Sequence, residues 1–184
     1  MKSVLISIHP KWCELIASSK KTIEVRKSKP KLEVPFKCYI YETKAVNKNK
    51  IIVDLDGDLP TVYARGKGQV IGEFVCDSIT GGYWIAPFSD YLQSQSCLSY
   101  DEVCGYANGK PIFAWHISNL KIYDKPKKLG EFYMVVENED CGKCRYYDTP
   151  CESEPCNQCQ GGRKYLTRPP QSWCYVEGLG EYGQ

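Results

Sequence analysis

Residues 7–30, SIHPKWCELIASSKKTIEVRKSKP, decide the fold that we expect for this chain. Pro10 suits the first turn of a helix, where its missing N–H costs nothing, and apolar residues follow it at helical spacing. The next segment alternates apolar and polar residues, which is typical of a strand. Read with period two, this strand carries Thr22, Glu24 and Arg26 on one face. That polar face is either a solvated surface or a binding surface.

Length and charge indicate the class of protein. The chain has 184 residues, 42% of them hydrophobic and 25% charged, which suits one domain or one domain with a small appendage. Residues 1–50 carry a net charge of +8 and the remainder −6. A basic first third favours a polyanion or an anionic ligand, or else forms a solvated lysine-rich face. Because neither a signal-type apolar region nor a run of about 18 apolar residues occurs, we expect a cytoplasmic protein without membrane contact.

Strand signals outnumber helix signals along the rest of the chain. Strands are expected at 3–8, 22–27, 36–43, 69–79, 111–117 and 120–123, with a loop excursion over 54–68. Ser99 and Glu102 have the spacing of a capping box, which predicts a helix that ends near Ala107. These signals predict an α+β fold, a small mixed β-barrel of about five or six strands with short helices at its rim.

Five of the eleven cysteines crowd into residues 141–159. A disulfide framework is not expected in a reducing compartment. Two C-x2-C pairs can instead place four thiolates around a structural Zn²⁺ ion, which would supply folding energy that this polar segment lacks. The predicted ligands are Cys141, Cys144, Cys156 and Cys159, with Cys151 as the alternate. A thiol-rich loop or redox cysteines would be the other interpretations.

The opening stretch resembles the signature of the ASCH domain family, named for homology to an activating signal cointegrator. That family shows I-x-P near its first strand, a short helix, and then G-x-K-x-x-E-x-R. Lys21, Glu24 and Arg26 match the last motif, and Ser19 replaces its glycine. GQVIGEFVCDSI and AWHISNL resemble later strands of the family. The resemblance covers residues 1 to about 125, together with the closing RPPQSWCYVE.

The resemblance implies a PUA-like β-barrel with a cleft beside the motif, and RNA or single-stranded nucleic acid, or a nucleotide, as ligand. Glu24 can accept hydrogen bonds from the exocyclic amine of a base, while Lys21 and Arg26 hold phosphate or fix the carboxylate. Tryptophans can stack on bases. The expected ligand-binding residues are Lys20, Lys21, Thr22, Glu24, Arg26 and Trp173. A structural salt-bridge cluster is the alternative interpretation of the charged residues.

The resemblance also leaves an enzyme open as an alternative. Some small members of the family look like amidohydrolases that remove an acyl group from the N4 amine of cytidine, using a lysine, a threonine three residues on and a later glutamate. Glu24 occupies the threonine's place, so the nucleophile is missing. For an enzyme the candidates would be Lys21, Glu24, Glu73 and Glu102. We expect a binding module instead; a zinc-stabilised adaptor for protein partners is the third hypothesis.

Three segments are expected along the chain. Residues 1–130 would form the ASCH-like barrel, and residues 131–168 the Cys-rich zinc-binding segment. Residues 169–184 would close the fold by packing on the barrel and end in a flexible tail.

Overall fold

The computed structural model describes residues 2–44, 53–54, 61–62, 66–82, 90–135 and 164–179. The strands are β1 (Lys2–Ile8), β2 (Ile23–Arg26), β3 (Phe36–Glu42), β4 (Val53–Asp54), β5 (Thr61–Val62), β6 (Gln69–Cys76), β7 (Ile79–Gly81), β8 (Phe113–His116), β9 (Ser118–Lys127), β10 (Tyr133–Met134), β11 (Lys164–Tyr165) and β12 (Trp173–Glu177). The helices are α1 (Pro10–Ala17), α2 (Asp90–Ser96) and α3 (Tyr100–Ala107), and a 3₁₀ turn covers Leu129–Glu131. None of the helices in these ranges is long and apolar enough to cross a membrane.

A seven-stranded mixed sheet forms the centre of the fold, in the order β11-β10-β12-β1-β3-β6-β9. β1 pairs in parallel with β3 and antiparallel with β12, so the first and last strands of the described chain are neighbours. The β3–β6 ladder shifts register beside Gly72, as expected for a bulge. A Cβ at this position would lie 2.5 Å from the Lys121 carbonyl oxygen, which explains the glycine.

The expected barrel is not closed within the part of the chain that the structure describes. β2, β8 and β7 form a separate three-stranded sheet, and no ladder joins it to the edges of the larger one. The chain passes between the two sheets at Ile117, whose N–H donates to the Thr22 carbonyl at 2.8 Å. Asn119 then adopts a left-handed conformation, φ +47°. The break at Ile117 separates β8 from β9, and the left-handed residue near the start of β9 redirects the chain, which leaves two sheets instead of one continuous wall.

Two apolar layers cover the two faces of the large sheet. Val4, Ile6 and Ile8 of β1 belong to one cluster, which also contains Trp115, whereas Leu5 belongs to the other. Alternate residues of one strand thus enter opposite layers, as the period of two requires. Because both faces are covered, six of the seven residues of β1 are buried, including Ser3 and Ser7.

Several predicted elements are confirmed, and others were missed. The helix that starts at Pro10 is present, and Ser99 and Glu102 form the predicted capping box of α3. The predicted loop excursion over 54–68 contains β5 and the second residue of β4, and these two short strands pair antiparallel. β7 and α2 were not predicted, because neither has a strong hydrophobic period of its own.

The predicted Cys-rich segment, residues 131–168, contains two neighbouring strands of the large sheet near its ends. β10 and β11 pair antiparallel, with Tyr133 opposite Tyr165. The five clustered cysteines lie between these two strands in the chain. All five predicted zinc ligands, including the alternate, lie outside the described residues.

Candidate functional site

A cleft of about 700 Å³ opens beside β2, between α1, α3 and the segment that precedes β12. Trp12 of α1 and Tyr106 of α3 contribute aromatic walls. Residues 169–171 form a further wall. The floor carries the charged residues of the sequence motif, so the cleft lies where the resemblance predicts one.

Three charged side chains lie buried at this floor: Lys21 is 2% exposed, Glu24 6% and Arg26 8%. The Glu24 Oε1 atom lies 2.9 Å from Arg26 Nη2, and its Oε2 atom lies 3.4 Å from Lys21 Nζ. Both cations also donate to backbone carbonyls, Lys21 to Ser96 at 2.6 Å and Arg26 to Ser7 at 2.7 Å. Buried charges persist only when they are paired and hydrogen-bonded in this way. The polar face of β2 is therefore not a solvated surface.

The opposite face of β2 is covered by apolar side chains. Ile23 and Val25 pack in a small apolar cluster with Ala114 of β8. The pairing of β2 with β8 places Glu24 opposite the fully buried Trp115. With both faces covered, each charge must find its partner inside the protein.

Ser7 joins three parts of the chain at the cleft. Its N–H donates to the Ser172 carbonyl at 2.9 Å, and its hydroxyl donates to the Pro170 carbonyl at 2.7 Å. Its own carbonyl accepts from Arg26. The wall that precedes β12 is thereby fixed against the charged floor.

The aromatic walls carry cations at their faces. Lys21 Nζ lies 5.2 Å from the centre of the Trp12 ring, and Lys27 Nζ lies 4.9 Å from the centre of the Tyr106 ring. Burial raises the pKa of the Tyr106 hydroxyl, although the Arg26 charge opposes that shift. At neutral pH this hydroxyl is protonated and can donate a hydrogen bond.

The charges of the lining are balanced. Lys21 and Arg26 are matched by Glu24 and Glu102 among the residues that line the cleft. The excess of lysine in residues 1–50 therefore does not lie on the floor of the cleft. A ligand at the floor meets hydrogen-bonding groups more than a net positive charge.

The structure brings together three of the six predicted ligand-binding residues, namely Lys21, Glu24 and Arg26. Lys20 is exposed on the turn after α1, and the Thr22 hydroxyl donates to Gln95 Oε1. Neither residue lines the cleft. Trp173 packs against Trp115, with ring centres 6.0 Å apart, and likewise lies outside the lining.

The two candidate glutamates of the enzyme hypothesis lie in different places. Glu102 lines the cleft, but its Oε2 atom accepts the Ser99 N–H at 2.9 Å and caps α3. Glu73 lies on β6, outside the cleft lining, where it accepts from Tyr123 at 2.6 Å and Lys37 at 3.2 Å. Burial raises the pKa of Glu73, but these hydrogen bonds outweigh burial and the net shift is downward.

Sequence reasoning missed several residues of the site. Trp12, which was not among the expected ligand-binding residues, is partly exposed and lines the cleft. Ser7, Tyr106 and Pro170 were not singled out. Ser7 and Pro170 meet through contacts between distant segments, for which a single sequence has no local signal. Tyr106 follows Glu102 by one helical turn, and this spacing could have indicated a shared face.

No group of three or more His, Cys, Asp or Glu side chains is placed to hold a metal ion within the described ranges. The comparison with known families decides which class of domain this cleft belongs to: the ASCH domain matches residues 6–127. The chain belongs to the ASCH domain family.

Solved ASCH structures share this fold. A crystal structure of an ASCH protein from Zymomonas mobilis, with one tyrosine replaced by phenylalanine, is 20% identical; the match covers 90% of this chain and 91% of that chain, with a TM-score of 0.52. A variant of the same protein with one serine replaced by alanine is 17% identical, covers 96% and 89%, and has a TM-score of 0.51. Among curated proteins no match was found.

Proposed function

We propose that this ASCH domain is an RNA- or modified-nucleotide-binding module of the PUA-like type, and that its cleft takes a single base. The observation that carries the proposal is the buried Glu24 carboxylate at the floor of a cleft with two aromatic walls. A base offers flat faces for stacking and polar edges for hydrogen bonding. The balanced charge of the lining suits such a neutral ring better than a phosphate.

The floor retains capacity for a ligand. An ionised carboxylate has about four lone-pair sites. Lys21 and Arg26 each contact a different oxygen of Glu24, so further sites on both oxygens are available to donors. An exocyclic amine of a base is a donor of this kind. The Tyr106 hydroxyl, protonated at neutral pH, adds a donor for a carbonyl of the same base.

Tyr106→Ala tests the proposal with little risk to the fold, because this side chain is 38% exposed. Stacking of one base on an aromatic ring is worth about 1–3 kcal/mol, so the variant should bind a labelled single-stranded RNA of about ten nucleotides at least about fivefold more weakly. Tyr100→Ala is the matched control, since Tyr100 lies on the same helix, is 49% exposed and does not line the cleft.

Fluorescence anisotropy with the RNA, and calorimetry with single nucleosides, distinguish the outcomes. Weaker binding in Tyr106→Ala alone supports a base in the cleft. The proposed function would be refuted if Tyr106→Ala bound the RNA as tightly as Tyr100→Ala. It would also be refuted if the unmodified protein bound neither the RNA nor a nucleoside. Tight binding of one nucleoside without affinity for RNA would identify a nucleotide receptor instead of an RNA-binding domain.

The cysteine pairs support a separate proposal, a structural zinc ion bound by the four cysteines at 141, 144, 156 and 159, with Cys151 as the alternate. The support is their paired spacing in a polar segment whose flanking strands, β10 and β11, are neighbours. Elemental analysis of protein purified without added metal should find about one zinc per chain. Cys156→Ser should lower that content, whereas Cys174→Ser, on β12, should not. Absence of zinc from the purified protein would refute this proposal.

A further inference from the structure

The buried floor of the cleft is a poor site for phosphate. Lys21 and Arg26 are 2% and 8% exposed, and each already contacts Glu24 and donates to a backbone carbonyl, although Arg26 Nε has no hydrogen-bond partner among the described residues. If a base enters the cleft, as proposed above, the phosphates of its strand must lie outside. The relevant question is therefore which exposed cations lie next to the mouth.

Residues 27–31, which we name the lysine loop, begin directly after Arg26 and carry Lys27, Lys29 and Lys31. All three lysines are exposed. None of them forms an ion pair with a carboxylate of the described residues. Three cations in five residues, without a carboxylate partner in the part of the chain that the structure describes, create a local positive potential at this side of the cleft.

The lysine loop is fixed to the body of the protein. Pro30 is buried, and the Lys31 N–H donates to the Tyr175 hydroxyl at 2.7 Å. The Ser28 hydroxyl accepts from Trp173 Nε1 at 3.1 Å. Trp173, expected from sequence to touch the ligand, thus supports the loop. A prearranged loop loses little conformational entropy when a ligand binds.

Two of the lysines are also oriented by aromatic rings. Lys27 Nζ lies 4.9 Å from the centre of Tyr106, the wall of the cleft, and Lys29 Nζ lies 6.0 Å from the centre of Phe113. The first contact places a cation beside a residue of the cleft lining. Lys29 and Lys31 follow it along the same loop.

We propose that the lysine loop is a phosphate-binding track, and that the partner is a single-stranded nucleic acid whose backbone leaves the cleft over Lys27, Lys29 and Lys31. This inference rests on the proposed function, since the strand is placed by a base in the cleft. It excludes the charged floor from phosphate binding. It also makes an oligonucleotide a better ligand than a nucleoside.

The test replaces the three loop lysines together with glutamine, Lys27→Gln, Lys29→Gln and Lys31→Gln. The matched control carries Lys121→Gln, Lys125→Gln and Lys128→Gln, which remove the same charge on and just after β9, an edge strand of the large sheet that does not line the cleft. Affinity for the ten-nucleotide RNA is measured at several salt concentrations. Each lost phosphate contact flattens the log–log salt slope by about 0.7, so the loop variant should lose about 2 units of slope and the control almost none.

Nucleoside binding separates failure of this inference from failure of the proposed function. In the supporting result, the loop variant keeps the nucleoside affinity of the unmodified protein and loses only salt-dependent RNA affinity. Equal slopes in the loop variant and the control would overturn the track while leaving the base site standing. Binding of polyglutamate as tight and as lysine-dependent as that of RNA would overturn it as well, because the loop would then select any polyanion.

Discussion

Replacing Glu24 with glutamine should destabilise the protein strongly. The change preserves the shape of the side chain but removes the one anion that lies between two buried cations. Lys21 and Arg26 would then be held only by the backbone carbonyls of Ser96 and Ser7. A glutamine amide directed at either cation would add an unfavourable N–H contact.

The expected magnitude follows from the burial of all three groups. Removing one partner of a buried ion pair costs about 3–5 kcal/mol, because the remaining charge is left uncompensated. For a chain of this size each kcal/mol lowers Tm by about 2–4 °C, so the expected loss is about 6–20 °C. If Glu24 only contacted a base, its replacement would hardly affect the fold. The two ion pairs of Glu24 instead predict a large loss of stability.

Thermal and urea unfolding of Glu24→Gln and Glu73→Gln provide the comparison. Glu73 pairs with Lys37 at 3.2 Å, but the Lys37 side chain is 37% exposed, and such pairs contribute about 1 kcal/mol or less. Added salt should reduce the small loss of stability in Glu73→Gln. It should leave the large loss in Glu24→Gln unchanged, because salt screens buried ion pairs poorly.

A double-mutant cycle tests whether the uncompensated cations cause the loss of stability in Glu24→Gln. Combining Lys21→Met with Glu24→Gln removes one of the two cations that Glu24→Gln leaves without an anion. The double variant should therefore lose less free energy of unfolding than the two single variants together, by about 0.5–3 kcal/mol. If Glu24→Gln were no more destabilising than Glu73→Gln, or if the cycle were additive, the buried cluster would not be the stabilising unit described here.

Three further predictions concern other parts of the fold. Ser99→Ala removes the N-cap of α3 and should cost about 1 kcal/mol in urea unfolding, whereas Ser99→Gly should recover most of it. Burial raises the pKa of Glu73, but hydrogen bonds from Tyr123 and a lysine outweigh it, so its contribution to stability is present above about pH 4.5 and lost as the pH falls below that value. Glu73→Gln should therefore flatten the acid limb of a stability–pH curve; an unchanged limb would contradict this. Burial raises the pKa of Cys76 to about 12, so iodoacetamide at pH 8 should label the partly exposed Cys97 before Cys76, as read by peptide mass mapping.

Local patterns predicted the elements that have local causes. The α1 helix follows from Pro10 and its apolar spacing, and the α3 helix follows from its capping box. The strand that carries Glu24 follows from its alternation, and its motif led to the cleft. In each case the signal lies within about ten residues of chain.

The rest depends on contacts between distant segments. Nothing local to Ser7 indicates that its carbonyl holds Arg26 or that its hydroxyl holds Pro170. Alternation predicted two faces for β2, one apolar and one polar, but not that both would be buried. The separation into two sheets at Ile117 likewise depends on a hydrogen bond to Thr22, which no sequence period records.

The pairing of β1 with β12 makes one wall of the cleft depend on contacts between distant parts of the chain. Lys2 lies opposite Glu177, so this edge of β1 stays unpaired until β12, far along the chain, is in place. Such long-range pairing slows folding and exposes an unfinished edge to other chains. A protein trimmed to the family-matched residues 6–127 would keep that edge open permanently and would lack the wall at Pro170. The complete cleft therefore requires residues that lie beyond the family-matched range 6–127.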